Sequence, residues 1–146
     1  DIVRLHSSAL PADVAPEQPA DARRVVAQYF RNKVQFPVRP TEFERNDVRL
    51  VGARLSNVRD QRAAALFYDV QGARMTVVVF ERPQLSPVVV RDGFERIRHR
   101  GSELYVRDVH GYPVPVRRAG SLDYAFTGDL DRTSLIDLAA SARVTH

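Results

Sequence analysis

The run RLVGARLSNVRDQRAAALFYDVQGARMTVVVFE, residues 49–81, decides the fold. Val51, Ala53 and Leu55 alternate with Leu50, Gly52 and Arg54, so residues 48–58 carry the period of two that sends successive side chains to opposite faces of a strand. The polar VRDQR supplies a turn. Residues 63–70 and 73–81 follow, joined by Gln71-Gly72, a connection of hairpin length with a glycine available for positive φ. Both of these strands are apolar on two faces: Leu66, Tyr68 and Val70 oppose Ala63, Ala65 and Phe67, and Met75, Val77 and Val79 oppose Val78 and Phe80. Such strands lie centrally, covered by helices or by a partner subunit, and the second option makes a homodimer one way to bury them.

Upstream of this meander, RRVVAQYFRNKVQFPVRP places Val25, Val26, Tyr29 and Phe30 on one stripe of a helix. Asp21 is the expected N-cap, its carboxylate accepting an orphan amide of the first turn, and the helix runs to Asn32 before Pro37 and Pro40 end it. The string LPADVAPEQPAD, residues 10–21, holds Pro11, Pro16 and Pro19. Each proline removes an amide donor and biases its predecessor toward extended chain. Residues 1–20 therefore read as a tether, with Ile2, Val3 and Leu5 a short docked segment, and residues 21–146 as one domain. The start DIVRLHSS, without an initiating Met, reads as a fragment of a longer protein.

Downstream, Pro83 and Pro87 mark a looser region ahead of VVVRDGFERIRHRG. Residues 104–109, 112–118 and 122–128 form a second meander, turning at His110-Gly111 and Ala119-Gly120. Pro113 and Pro115 sit two apart, so their missing amides face the same side, and residues 112–116 are expected at a sheet edge. Asp129 or Asp131 caps a last helix that ends near Arg143, with Leu135, Leu138, Ala139 and Ala142 as its buried stripe. The expected fold is α+β: a largely antiparallel sheet of about six strands with a helix at each end.

The 146 residues suit one domain, and 44% hydrophobic with 27% charged residues is ordinary for a globular chain with a sizeable core. Without Cys there is no disulfide framework, thiolate catalyst or Cys-type zinc site. A net charge of +4, carried almost wholly by Arg, attracts anions but falls short of the basic stripe of a dedicated nucleic-acid binder, and none is expected as a partner. No apolar run approaches the length of a membrane span.

Catalytic patterns are absent: no GxSxG, no GxxxxGK[ST], no GxGxxG, no HExxH. His6, His99, His110 and His146 are scattered without metal-site spacing, and a cluster of His99 and His110 with Asp108 requires convergent turns. Ser102, His110 and Asp108 are close in sequence, but strand neighbours alternate faces, and turn-forming polar residues are the simpler reading. Among Asp129, Asp131 and Asp137, the first two are better explained as charges at a helix N-terminus, and no other acidic residue nearby completes an oxygen cage. The chain is read as a non-enzyme without cofactor or metal.

What remains is a binding surface. In ERIRHRG, Arg96, Arg98 and Arg100 alternate around His99; on a strand all three guanidinium groups project from one face and can grip carboxylate or phosphate oxygens. The alternative is an ordinary solvated strand face. Tyr105, Tyr112 and Tyr124 lie on the second meander, where they either line a ligand or partner groove or fill the half-buried core.

Three blocks taken together resemble bacterial transmembrane anti-sigma factors. RLVGARL, the polar turn and AAALFYDVQGARMTVVVF are similar to that family's "LVGGRL" strand followed by "AALxY" and an apolar strand. GYPVPVRRAGSLDYAFTGDLDRTSLIDLA resembles its "GYNVVxWxxGGLxYxxVSDLxxxEL" ending, and the helix before FPVRP its "GKLxFxPxVP" exit. Ala53 stands where a second Gly is common, and the Pro113/Pro115 pair is a second departure. The resemblance covers most of the chain from Arg23 onward. It implies an extracytoplasmic sensor domain on the periplasmic side of the inner membrane, anchored by a membrane helix outside these residues. It also implies a sigma factor held by a cytoplasmic domain that is not in this chain; the proline- and alanine-rich residues 10–20 add the expectation that an envelope protease cuts the tether. A stand-alone periplasmic ligand- or protein-binding module is the alternative reading.

Overall fold

The structure, a computed structural model, describes residues 12–58, 60–82 and 94–144. The expected docked segment at Ile2, Val3 and Leu5 lies outside them, as do His6, His146 and the Pro83/Pro87 region.

The architecture is α+β. Helix α1 (Ala22–Phe30) precedes three strands, β1 (Val48–Val58), β2 (Gln61–Val70) and β3 (Ala73–Glu81). Then come β4 (Glu95–His99), β5 (Ser102–Val109), β6 (Tyr112–Ala119) and β7 (Leu122–Gly128), closed by helix α2 (Arg132–Ser141). All seven strands form one antiparallel sheet in the order β1-β2-β3-β7-β6-β5-β4. The strand beyond the expected six is β4, built from the ERIRH part of the arginine run. It forms because Arg100-Gly101, with φ of 51° and 78°, makes a two-residue turn of the kind that matches strand twist. Gln71-Gly72 (52°, 88°) and His110-Gly111 (52°, 83°) repeat that solution.

Two expectations need correction. Residues 112–116 are not at a sheet edge, because β6 lies between β5 and β7. The argument about missing amides still applies, with a different outcome. Tyr112 and Val109 flank the His110-Gly111 turn as a hydrogen-bonded pair, so the backbone groups of Tyr112, Val114 and Val116 point to β5 and the prolines point to β7. Accordingly β6 pairs with β7 only over residues 116–119, and the ladder stops where the prolines begin. The intervening turn is Gly120-Ser121, one residue later than expected, since Ala119 pairs with Leu122.

The second correction concerns the helix caps. Asp21 occupies the N-cap of α1 and Asp131 that of α2, but neither carboxylate makes a capping hydrogen bond. Asp21 instead faces Arg24 at 3.5 Å, one turn along the same helix.

One face of the sheet carries the main core. Leu66, Tyr68, Met75, Val77, Val79, Leu104, Tyr124 and Phe126 meet Val26 and Phe30 of α1 and Leu135, Leu138 and Ala139 of α2. Between the helices an extended strap, residues 34–43, buries Val34, Phe36, Val38 and Pro40 at every second position. Phe43 adds edge-to-face contacts with Tyr68 and Phe126, centroids 5.3 and 6.4 Å apart. The strap is fixed by Tyr68, whose hydroxyl donates to Thr41 O at 2.8 Å, and by pairing of Glu42 with Arg143. Burial pushes the Tyr68 phenol up, so it stays a donor. The opposite face holds two smaller clusters, one around Tyr105, Val114, Val116 and Ala125, the other around Ala63, Ala65, Phe67 and Val78.

Arg117 ties α2 to the sheet. From the helix face of β6 its guanidinium donates to Ala139 O and Ala140 O, each at 3.3 Å, and to Ala142 O. A cation there satisfies the orphan carbonyls of the last turn and complements the negative end of the helix dipole. The expected consequence of Arg117→Met is a loss of about 2 kcal/mol in denaturant unfolding, with the fraying localised to residues 138–142 by amide exchange.

Candidate functional site

The residues expected to share a binding surface divide between the two sides of the sheet. Cross-strand register places Arg96 opposite Tyr105, Tyr105 opposite Val116, and Val116 opposite Ala125. Arg98 sits opposite Glu103, and Arg118 opposite Asp123. All of these lie on the face away from the helices. Arg107 stacks on Phe94 there, its guanidinium carbon 5.8 Å from the ring centroid, and Arg118 lies 5.0 Å from the centre of the Tyr105 ring. Tyr112 packs into the same patch.

Tyr105 is buried, and its hydroxyl donates to Glu103 Oε1 at 2.7 Å. That bond to a carboxylate, with burial second, raises its pKa. Asp123, 3% exposed, receives Arg82 at 3.0 Å and lies 3.8 Å from Arg118. Nε and Nη2 of Arg118 are buried without a hydrogen-bond partner. Among the described residues the patch is therefore a floor of Tyr105, Phe94 and Val116 ringed by Arg82, Arg96, Arg98, Arg107 and Arg118, against Glu103 and Asp123. It is cationic.

Arg100 and His99 do not belong to it. Arg100 leaves the strand in the left-handed turn conformation, which swings its side chain to the helix face instead of continuing the alternation of Arg96 and Arg98. There Asp137 of α2 accepts from Arg100 Nε and faces His99 Nε2 at 3.1 Å. The hydrogen bond from His99, with Arg100 adding to it, holds the Asp137 carboxyl below the usual range. Tyr124 is also removed from any groove: it is 1% exposed, inside the main core, and burial raises its pKa.

The Ser102, Asp108 and His110 set does not converge. Ser102 donates to Ala140 O at 2.9 Å, Asp108 pairs with Arg132 at 3.4 Å, and His110 is exposed in the turn at the far end of β5. Ser102 and His110 are separated by the length of that strand, roughly 25 Å. Asp129 and Asp131 flank the start of α2 and are exposed. Among the described residues no group of three His, Cys, Asp or Glu is placed to hold a metal, and no helix is long and apolar enough to cross a membrane.

One feature had no signal in the composition. The expected tether is docked where it enters the domain. Asp13 N donates to Ala53 O at 2.8 Å and Ala53 N to Val14 O at 2.9 Å, a bridge along the free side of β1. The Asp13 carboxylate accepts from Leu55 N and from the Tyr29 hydroxyl, both at 2.8 Å, and lies 3.6 Å from Arg54. The Leu55 amide contributes most to lowering its pKa; Tyr29, Arg54 and Lys33 add to it against desolvation. Gly52 is what lets the segment approach: a Cβ there would stand 3.0 Å from Ala12 Cβ and 3.1 Å from Val14 O.

No family model matches the sequence, and neither a curated protein nor a solved structure matches it.

Two outcomes follow from the ion pairs. Asp123→Ala leaves Arg82 and Arg118 half-buried without a counter-charge and is expected to cost about 2–3 kcal/mol in chemical denaturation. The lowered pKa of Asp137 contributes stability above the ordinary carboxylate pKa near 4, and that contribution is lost as pH falls through its folded value. A melting-temperature profile from about pH 5 down to pH 2 should therefore fall less steeply for Asp137→Asn than for the parent.

Proposed function

We propose that this chain is the extracytoplasmic regulatory domain of a membrane-anchored bacterial anti-sigma factor, a binding body that controls access to its own N-terminal tether. The sigma factor is held by a separate cytoplasmic domain, and the domain lies on the periplasmic side of the inner membrane. The resembling blocks support this by falling, in order, on whole elements: RLVGARL on β1, AAALFY and ARMTVVVF on β2 and β3, and GYPVPVRRAGSLDYAFTG on the β6–β7 hairpin leading into α2. The observation that carries the reading is the docking of Asp13 and Val14 onto Ala53, beside Gly52, inside the first of those blocks.

The mechanism is a population shift between docked and released states of residues 12–20. When docked, Asp13 and Val14 are bonded to Ala53 and make a poor protease substrate; when released, the segment is an exposed, proline- and alanine-rich chain. A signal or partner that binds only one state moves the equilibrium by its differential affinity. Cleavage in the released state then frees the sigma factor.

Limited proteolysis tests the device. Gly52→Val, which forces Ala12 and Val14 off β1, should speed cleavage within residues 12–20 at least tenfold while the core from residue 22 onward stays resistant. Equal rates for variant and parent would mean that docking does not protect the tether. The regulatory reading itself is tested on the full-length gene product, tagged at both ends: a sigma factor co-purifying with a cytoplasmic end, and this domain outside, is expected. A signal-processed protein that binds no sigma factor would leave a stand-alone periplasmic binding module.

A further inference from the structure

The sheet has two edges, and the chain treats them differently. The β1 edge is occupied by the protein's own residues 13 and 14, with an acidic side chain meeting Arg54. At the other end of the sheet, among the described residues, no strand lies beyond β4.

The geometry of β4 defines what that edge can accept. His99 and Ser102 flank a two-residue turn and so form a hydrogen-bonded pair; alternation makes Ile97/Leu104 and Glu95/Val106 hydrogen-bonded pairs as well. The N–H and C=O groups of Arg96 and Arg98 therefore point away from β5, to the free side. The same two residues supply both the unpaired backbone groups and the cationic side chains. Both side chains are exposed and project from one face about 7 Å apart; Glu103 lies across from Arg98, but among the described residues neither arginine closes an ion pair.

Edge strands are blunted by shortness, exposed charge, proline, a bulge or an inward-facing charge; β4 is five residues long with two exposed arginines, so it repels basic strands and stays selective for acidic ones. It has neither proline nor register shift; its two arginines lie on the outer face, and Glu95, on the helix face, is held by Arg132. It is also held in shape. Arg132 of α2 binds Glu95 at 3.1 Å at one end of the strand, and Asp137 takes His99 and Arg100 at the other. A fixed edge spares an incoming strand the cost of ordering its template.

We propose that the free edge of β4 is the docking site for an extended acidic peptide segment of a partner protein, which adds as a further antiparallel strand with carboxylates at alternate positions opposite Arg96 and Arg98. Main-chain hydrogen bonds to residues 96 and 98 supply affinity, and the cross-strand charge pairs supply register and selectivity. A second copy of this chain fits poorly, because β4 pairing with β4 sets arginine against arginine across the junction. The regulatory reading is not required for this site, and its test involves no sigma factor.

The probe is a fluorescein-labelled ten-residue peptide of alternating Val and Glu, titrated against the full 146-residue chain at low salt. A Val/Lys peptide and a Val/Glu peptide with alternate amides N-methylated serve as comparisons. Binding of the first and of neither comparison is expected, with about tenfold loss in Arg96→Ala/Arg98→Ala. Arg96→Glu/Arg98→Glu should reverse the preference and take the Val/Lys peptide, which also shows that the variant is folded. On binding, amide exchange should slow at residues 96 and 98 and stay unchanged at Ile97, already bonded to β5. Equal binding of the N-methylated peptide, binding without protection at 96 and 98, or no binding at all would overturn the proposal.

Discussion

The pairing of β3 with β7 is the contact on which the rest of the molecule depends. Seven consecutive residue pairs, from Met75/Gly128 to Glu81/Leu122, join a meander from the first half of the chain to one from the second. Every residue of β7 is buried, as are Met75, Thr76, Val77, Val78 and Val79 of β3. The junction is close enough at Gly128 that a Cβ there would stand 2.8 Å from Arg74 O. Without that seam there would be two separate small sheets, each with an apolar face too small to hold the helices. With it, α1, the 34–43 strap and α2 share a single core. The loop closed by this pairing is long, so its entropy cost is met only by the burial that the completed sheet provides.

Arginine does most of the polar work in this chain, and its uses differ by face. On the helix side, Arg117 satisfies the carbonyls at the end of α2, and Arg100 joins His99 on Asp137. On the other side, Arg107 and Arg118 lie over aromatic rings, and Arg82 neutralises buried Asp123. Planar, permanently charged guanidinium groups can stack and donate at once, which a lysine ammonium cannot do. Arg96 and Arg98 stand apart from these structural uses: both are exposed, and among the described residues neither closes an ion pair. That contrast makes their strand the natural place to look for recognition.

The two ends of the sheet differ. At β1, residues 13 and 14 pair along the edge through the gap that Gly52 leaves. At β4, among the described residues, no further strand follows and two exposed arginines flank the edge. Coupling between them would have to pass through the sheet, and the buried β3–β7 seam is the rigid element that connects its halves.

Most of what is local was legible in the sequence alone, although neither carboxylate cap formed, one turn lay a residue later and β4 went unmarked. Alternation in residues 48–81 gave β1 to β3, glycine after a polar residue marked the Gln71-Gly72 and His110-Gly111 turns, and the 3.6-residue stripe of Leu135, Leu138 and Ala139 gave the buried side of α2. Those signals follow from backbone sterics and side-chain period, which act over a few residues. The order of strands, the interior position of β6 despite two prolines, and the burial of Tyr124 depend on which element lies across from which, and periodicity carries no record of that. Likewise, alternation put Arg96, Arg98 and Arg100 on one face, and a single left-handed residue at the turn sent Arg100 to the other. Asp13 read as part of a loose tether because nothing nearby in sequence shows that Leu55, Tyr29 and Arg54 wait for its carboxylate. Local chemistry shaped most elements of this protein; tertiary packing decided which of its charges are held in structural pairs and which stay exposed.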